Sequence, residues 1–311
     1  MRKSHAQVSP RLAELRPKRP FRDINGILLL DKPKGLSSNQ ALQRARHIFG
    51  ARKAGHTGSL DPLATGLLPI CFGEATKIAG FLLGSRKAYD AECLLGVTTN
   101  TDDAEGEVLE TRPVPAQPDI ESALEKLRGR IAQTPPKYAA IKVGGVALYK
   151  RARRGEEVDV PSRNVDVFRF DLIERDDDRL SLHVECGSGT YVRSLVRDLG
   201  EILGCGAHLT ALRRLWVDPF RAPKMFTFEE LSAQSADSLD SLLLPLERGL
   251  QGLPKLAIDA DDEQRLRQGK TLTRPDHSET PLAYAVDGAG KLIALVEIDA
   301  SGEVRVKRGF N

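Results

Sequence analysis

The chain has 311 residues, 41% of them hydrophobic and 29% charged, with a formal net charge of +3, an ordinary globular composition long enough for one large domain and a small one. Its apolar runs, such as 27–30 and 66–72, are far shorter than the roughly 18 residues of a membrane span, and no basic-then-apolar leader opens it, so the expected address is cytoplasmic, away from any membrane. The four cysteines form no CxxC pair, which argues against a zinc framework or a disulfide-stapled fold and for reduced thiols packed as small hydrophobes.

Residues 1–22 carry seven Lys and Arg against the single acid Glu14. Residues 1–23 are therefore expected to form a basic, disordered tail, a composition that a transit peptide would share. NGILLLDKP, at 25–33, reads as a buried strand ending in a Pro turn. SSNQALQRARHIFG reads as a helix capped by Ser37 or Ser38, with Leu42, Ala45 and Phe49 on one face and Gly50 at its end. GHTGSLDPLATGLLPI, at 55–70, is rich in turn residues before it becomes apolar. LLPICFG then reads as a strand, EATKIAGFLLG as a helix and KAYDAECLLGVTTNT as an alternating strand.

The acidic stretch TDDAEGEVLE leads through Pro113, Pro115 and Pro118 to a helix, DIESALEKLRGRI, with Ile120, Leu124 and Leu127 on one stripe. From 133 to 157 no period is visible, which reads as a long functional loop. Within it, 137–154 holds six basic residues and no acid; such a stripe fits a polyanion and fits a solvated surface about equally. VDVFRFDLIER and RLSLHVECG read as an antiparallel pair around 176–178, and TYVRSLVRDLGEILG as a helix ending near Gly204. This irregular order of strands and helices indicates an α+β fold rather than a doubly wound parallel sheet. The text turns linker-like around 233–255, and 251–311, with LIALVEI and VRVK, reads as a small, mostly β domain.

No GxxxxGK[ST], GxGxxG after a strand, GxSxG or HExxH occurs, and no two histidines sit at metal-ligand spacing. Neither a cofactor nor a metal is expected. Asp61 remains, and taken alone it has two readings. It is either an N-cap, with Pro62 at the first helical position and Gly66 closing one turn, or a carboxylate nucleophile or base on a turn that Pro62 stiffens. His56 is likewise a structural hydrogen-bonder or a substrate contact.

KPKGLSS at 32–38, GHTGSLDPLATGLLPI at 55–70, GEATK at 73–77, Tyr89, GTYVRSL at 189–195 and LRRL at 212–215 occur in order. Together they resemble the bacterial tRNA pseudouridine-55 synthases of the TruB family over about residues 25–220. The resemblance implies a pseudouridine-synthase-like catalytic domain on a twisted mixed, mainly antiparallel sheet, covering 24–250. It also implies an RNA-clamping insertion at about 129–157 and a PUA-like RNA-binding domain at 251–311. The implied activity is isomerisation of uridine 55 in the TΨC loop of tRNA, without cofactor or metal.

By the same resemblance Asp61 is the nucleophile, Tyr89 stacks on the target base, and Arg193 pairs with the nucleophile. His56 fills the opened loop, and Lys77, Tyr191 and Leu212 are further substrate contacts. Lys142, Lys150, Arg151, Arg153 and Arg154 are expected on the RNA backbone. The implied partner is the T-arm of tRNA, with no obligate protein partner and a monomeric enzyme. Ser59, where the family usually has Ala, and WVDPF after LRRL, where Gly is frequent, are departures outside the proposed chemistry.

Those residue types suit the reaction. The bond between ribose C1′ and base N1 must break and the base must rejoin through C5, which a carboxylate assists by capturing the electron-poor intermediate. Whether it attacks sugar or base is not legible. An Arg keeps a half-buried carboxylate ionised and aimed, an aromatic ring holds the detached base, and the uridine must leave its stack. Two rivals remain: a tRNA-folding factor, a role that an active enzyme could share, and a nucleoside hydrolase, which would want a second carboxylate as acid. Since the matched motifs end by Leu215, the C-terminal segment is expected to add affinity rather than chemistry.

Overall fold

In a computed structural model of the protein, the described residues are 21–84, 86–139, 142–143, 146–147, 151, 154, 156, 160–276 and 278–310. The tail at 1–20 and the positions of Lys150 and Arg153 lie outside them. Twelve strands come first: β1 (Gly26–Lys32), β2 (Ala54–His56), β3 (Thr65–Phe72), β4 (Lys87–Leu95), β5 (Val97–Thr99), β6 (Val108–Thr111), β7 (Gly129–Gln133), β8 (Lys142–Val143), β9 (Val146–Ala147), β10 (Arg163–Asp176), β11 (Arg179–Cys186) and β12 (Ala207–Val217). Eight form one sheet in the order β1-β3-β12-β4-β11-β10-β7, with β2 beside β3. Only β3 and β12 run parallel, so the sheet is mixed and mainly antiparallel, an α+β arrangement.

The run Ile27 to Leu30 does not alternate because both its faces are covered. Leu28 and Leu30 join the larger core with Phe49, Ile70 and Leu195. Ile27 and Leu29 face a second core. Helix α1 (Ser38–Phe49) is capped by Ser37 in a reciprocal box with Gln40 and ended by Gly50 at φ 62°. Ser38 acts elsewhere. Its Oγ accepts from Leu60 N at 2.7 Å and donates to Leu60 O at 3.0 Å, fastening the chain just ahead of Asp61. The β10–β11 turn is 177–178, with Asp177 at φ 50°.

In other segments tertiary pairing overrides local pattern. EATKIAGFLLG is not one helix but a 3₁₀ turn, Gly73–Lys77, followed by the single turn α2 (Ala79–Leu82). The helix expected over 119–131 stops as α3 (Ile120–Glu125). Residues 129–133 instead pair with β10 at the sheet edge, from Val167↔Gly129 to Arg163↔Gln133. The strand expected over 87–101 is cut at Gly96, whose φ of 83° turns β4 into β5. The text around LRRL, which the periodicity left without an element, is the central strand β12. Helix α4 (Val192–Ile202) buries Val192, Leu195, Val196 and Leu199 on the larger core. All four cysteines are buried, free thiols, and burial pushes that of Cys71 up to about 12.

A second sheet takes β13 (Lys255–Ala257), β14 (Leu272–Thr273), β15 (Thr280–Val286), β16 (Leu292–Ile298) and β17 (Glu303–Gly309), ordered β13-β15-β16-β17-β14. It has its own core, including Ile258, Val296 and Val304, beneath the helix Ala260–Arg267. Leu292, Leu295 and Phe310 of this unit, however, pack with Ile27, Leu29, Leu67 and Cys71 behind β1 and β3. A chain stopped at Leu250 loses these three partners while Ile78, Val217, Phe220 and Leu250 stay on that face. Because losing even one large apolar partner costs about 2–5 kcal/mol, its Tm is expected to fall by roughly 10 °C or more. An unchanged melting curve would show that the cover remaining from residues 75–250 is sufficient.

Candidate active site

One row of the sheet sets the floor of the site. Lys32 of β1 pairs with Gly66 of β3, Gly66 with Arg214 of β12, and Arg214 with Tyr89 of β4. Gly66, at φ 95°, cannot carry a side chain here, since a Cβ would lie 2.2 Å from the Arg214 carbonyl oxygen. The loop 57–64 rises from this row between β2 and β3. Asp61 does not start a helix: its carbonyl accepts from Ala64 N at 3.1 Å, one turn, and β3 follows. Its side chain is therefore not an N-cap, and the first of its two readings falls.

The carboxylate turns to Arg193 in the first turn of α4, with Oδ2 3.0 Å from Nε. This is an ion pair whose N–H is not aligned for a hydrogen bond. Arg193 is 4% exposed and its Nη1 lies 3.3 Å from Oδ2 of Asp103, itself 4% exposed, and donates to the Thr101 carbonyl at 3.0 Å. One buried guanidinium thus bridges two carboxylates on different loops. Burial raises the Asp61 pKa above its ordinary value; Arg193 opposes this, Asp103 adds to it, and Lys32 opposes it more weakly.

Lys32 has no exposed surface. Its Nζ donates to the carbonyls of Pro33 at 2.9 Å and Leu36 at 2.7 Å. Burial lowers its pKa to about 8, with Asp61 the first influence resisting that fall. Arg214, 1% exposed, donates to Leu67 O at 2.7 Å and to Gly58 O at 3.2 Å, tying the loop to the sheet. Tyr89 is 7% exposed; burial pushes its hydroxyl up to about 12, against the pull of Arg214. Burial and then Arg214 lower the His56 pKa, and its buried Nδ1 has no hydrogen-bond partner among the described residues. Such a ring stays neutral near neutral pH, offering a nitrogen but no charge. Leu212 is buried, and its carbonyl accepts from Thr65 Oγ1 at 3.4 Å.

The sequence-predicted residues thus separate into groups. Asp61 and Arg193 meet, and Tyr191, whose pKa is raised first by burial, feels Arg163, Asp61 and Arg193. Tyr89 and His56 share Arg214. Lys77 stands apart: its Nζ lies 2.5 Å from Glu74 and donates to Gly309 O at 2.9 Å, with the Phe310 ring 5.6 Å away. Lys142 lies in the short β8–β9 pair. Arg151 and Arg154 share Glu156 loosely, at 3.6 and 3.7 Å. Among the described residues no group of His, Cys, Asp and Glu is arranged to hold a metal.

Lys32, Asp103 and Arg214 were not singled out by residue type. Lys32 had a signal, since it continues the two-residue parity of Leu28 and Leu30 into the core. Asp103 had none, being one acid among many in 101–110.

Chemically, the arrangement is a partly desolvated carboxylate held by a buried cation, with Tyr89 and Tyr191 within its electrostatic reach. The N-terminal domain model of the TruB family pseudouridylate synthases matches residues 46–192, and that of the tRNA pseudouridylate synthase B C-terminal domain matches 193–251. The seam between the two matches falls inside α4. The chain is 54% identical over 302 residues to tRNA pseudouridine synthase B of Xanthomonas euvesicatoria, covering 96% of this chain and 97% of the relative. It is 55% identical to that of Xylella fastidiosa over 94% and 97%. Among solved structures, a chain of a Cbf5–Nop10–Gar1 complex superposes with a TM-score of 0.73 at 25% identity, over 92% of this chain and 85% of that one. An archaeal Nop10–Cbf5 complex gives 0.71 at 23%, over 97% and 94%, a likeness of fold. With both family models together spanning most of the chain and relatives matched nearly end to end, this protein belongs to the TruB family of pseudouridylate synthases.

Proposed function

We propose that this synthase acts on tRNA, converting uridine 55 of the TΨC loop to pseudouridine with Asp61 as nucleophile. The observation that carries the reading is the Asp61 carboxylate 3.0 Å from buried Arg193. Burial there disfavours the charged carboxylate, and the buried guanidinium beside it is the strongest influence favouring it. The names of the relatives, tRNA pseudouridine synthase B, supply the substrate class.

In the reaction, Asp61 adds to the flipped nucleotide and the N1–C1′ bond breaks, its electron pair leaving on the base. The base pivots against Tyr89 without escaping. C5 then bonds to C1′, Asp61 is released, the C5 proton goes to solvent and N1 takes up a proton from solvent. No atom is gained or lost, so neither redox chemistry nor a co-substrate is called for. Tyr191 and Leu212 line the path of the nucleotide, and His56, neutral, occupies the space the uridine vacates without adding charge among phosphates. Basic residues of the insertion, Lys142, Lys150, Arg151, Arg153 and Arg154, meet the T-arm backbone, where contacts set affinity rather than sequence. The sheet at 255–309 serves as the PUA-like RNA-binding unit.

Mapping pseudouridine in tRNA from a strain lacking the protein tests this reading. Position 55 is expected to remain uridine, and to regain the modification when the gene is returned. Modification persisting at 55 while another site is lost would overturn the assignment. Free uracil released from tRNA by the purified protein would favour the hydrolase.

A further inference from the structure

The first turn of α4, which carries Arg193, has no side-chain cap of its own. Its N-cap is Tyr191, which makes no capping hydrogen bond. Two other strands hold it instead. Gln133, the last residue of β7, has no exposed surface. Its Nε2 donates to Tyr191 O at 3.1 Å, and its Oε1 accepts from Tyr191 N at 2.8 Å. One amide thus satisfies both backbone groups of one residue, a two-point attachment that fixes direction as well as distance.

Arg163 lies directly opposite Gln133 on β10. Its guanidinium stacks 5.2 Å from the centre of the Tyr191 ring and donates to the Gly189 carbonyl. Next along the chain, the Thr134 carbonyl accepts from Ser194 Oγ and from Arg197 Nη2, each at 2.9 Å. The buried Gln133 amide thus serves the backbone of the residue two before Arg193.

We infer that Gln133, with Arg163 across the strand pair, is a positioning residue for the isomerisation, holding Tyr191 and the start of α4 so that Arg193 faces Asp61. Gln133 touches no reacting atom. It acts through the geometry of the Arg193–Asp61 pair, and displacements of about 1 Å in such pairs cost roughly 100-fold in rate. The inference rests on the reading of Asp61 as the group that must be ionised.

The test replaces Gln133 by Met, similar in length but unable to hydrogen-bond, in the full chain acting on unmodified tRNA. Single-turnover rate at saturating tRNA is expected to fall about 10- to 100-fold, with tRNA Kd within about 2-fold of the parent. The decisive readout is the acid limb of the single-turnover pH profile. Asp61 is surrounded by Arg193, Asp103 and Lys32, with Arg193 the strongest of these influences and opposing protonation. Loosening Arg193 should therefore move that limb to higher pH. Arg163→Gln, at a half-exposed position, should move it the same way by less and covers the case in which Gln133→Met does not fold. Leu199→Ala, on the same helix but away from the clamp, should lower Tm without moving the limb.

If Gln133→Met and Arg163→Gln keep the parental limb and lose rate only in step with Tm, the clamp is structural and the inference fails. If the parent itself shows no acid limb, the reading of Asp61 fails instead.

Discussion

Asp61→Asn is expected to bind tRNA like the parent and to lose about 10⁴-fold or more in single-turnover rate, as when other nucleophiles are removed. The fold should survive. The turn at Asp61 is closed by its backbone carbonyl, and Ser38 fastens Leu60 whichever side chain stands at the next position. Arg193 also keeps a carboxylate partner in Asp103 at 3.3 Å, so the guanidinium is not stranded. The charge and one nucleophilic oxygen disappear. Tritium release from C5-labelled uridine in a T-arm stem-loop reports the loss, because C5 surrenders its proton only after the new glycosidic bond forms. Release at the parental rate from a variant that binds normally would remove Asp61 from the mechanism.

Arg193→Met should damage both stability and rate, and the asymmetry with Asp61→Asn is informative. Removing one carboxylate leaves a cation paired, whereas removing Arg193 leaves Asp61 and Asp103 facing each other without it. Breaking a buried pair in this way costs about 3–5 kcal/mol. Arg193 opposes the rise in the Asp61 pKa caused by burial, so without it that pKa climbs further. Asp61 must be ionised to attack, so the acid limb of the rate profile should move to higher pH. A carboxyl whose native pKa exceeds its unfolded value binds a proton more tightly when folded. The deficit in Tm should therefore be greatest above that raised pKa and narrow as pH falls toward the ordinary carboxylate range. A pH-independent deficit, or an unmoved limb, would show that Arg193 does not govern the ionisation of Asp61.

Much of the site was legible because its parts are local. The turn residues around Asp61, the Pro beside it and the apolar run after it lie within sixteen letters, 55–70. Helix α1 was readable down to its Gly50 terminator. Sequence could not carry the pairing between distant segments. Strand β12 hid because Arg213 and Arg214 look like surface residues. In the fold Arg213 finds Asp31 at 2.7 Å and Arg214 is buried on carbonyls. The α3 stripe ran on to 131 because Leu127 fits a helical period, whereas β10 supplies a competing partner for 129–133. Gln133 and Asp103 were invisible for the same reason, since their partners are 58 and 90 positions away in the chain.

The packing of Leu295 and Phe310 behind β1 and β3 has a consequence for synthesis. On a ribosome Ile78, Leu82, Val217, Phe220 and Leu250 reach the rear of the strands that carry the Asp61 loop first, and Leu292, Leu295 and Phe310 complete that cover only later. At about 5–20 residues per second, the roughly 240 residues between Phe72 and Phe310 take about 12–48 s to translate. Until then the part of the Ile27, Leu29 and Leu67 face that these last residues cover presents an apolar surface on a nascent chain. These strands thus wait, partly open to chaperones or to wrong partners, until residues 292–310 arrive to close them.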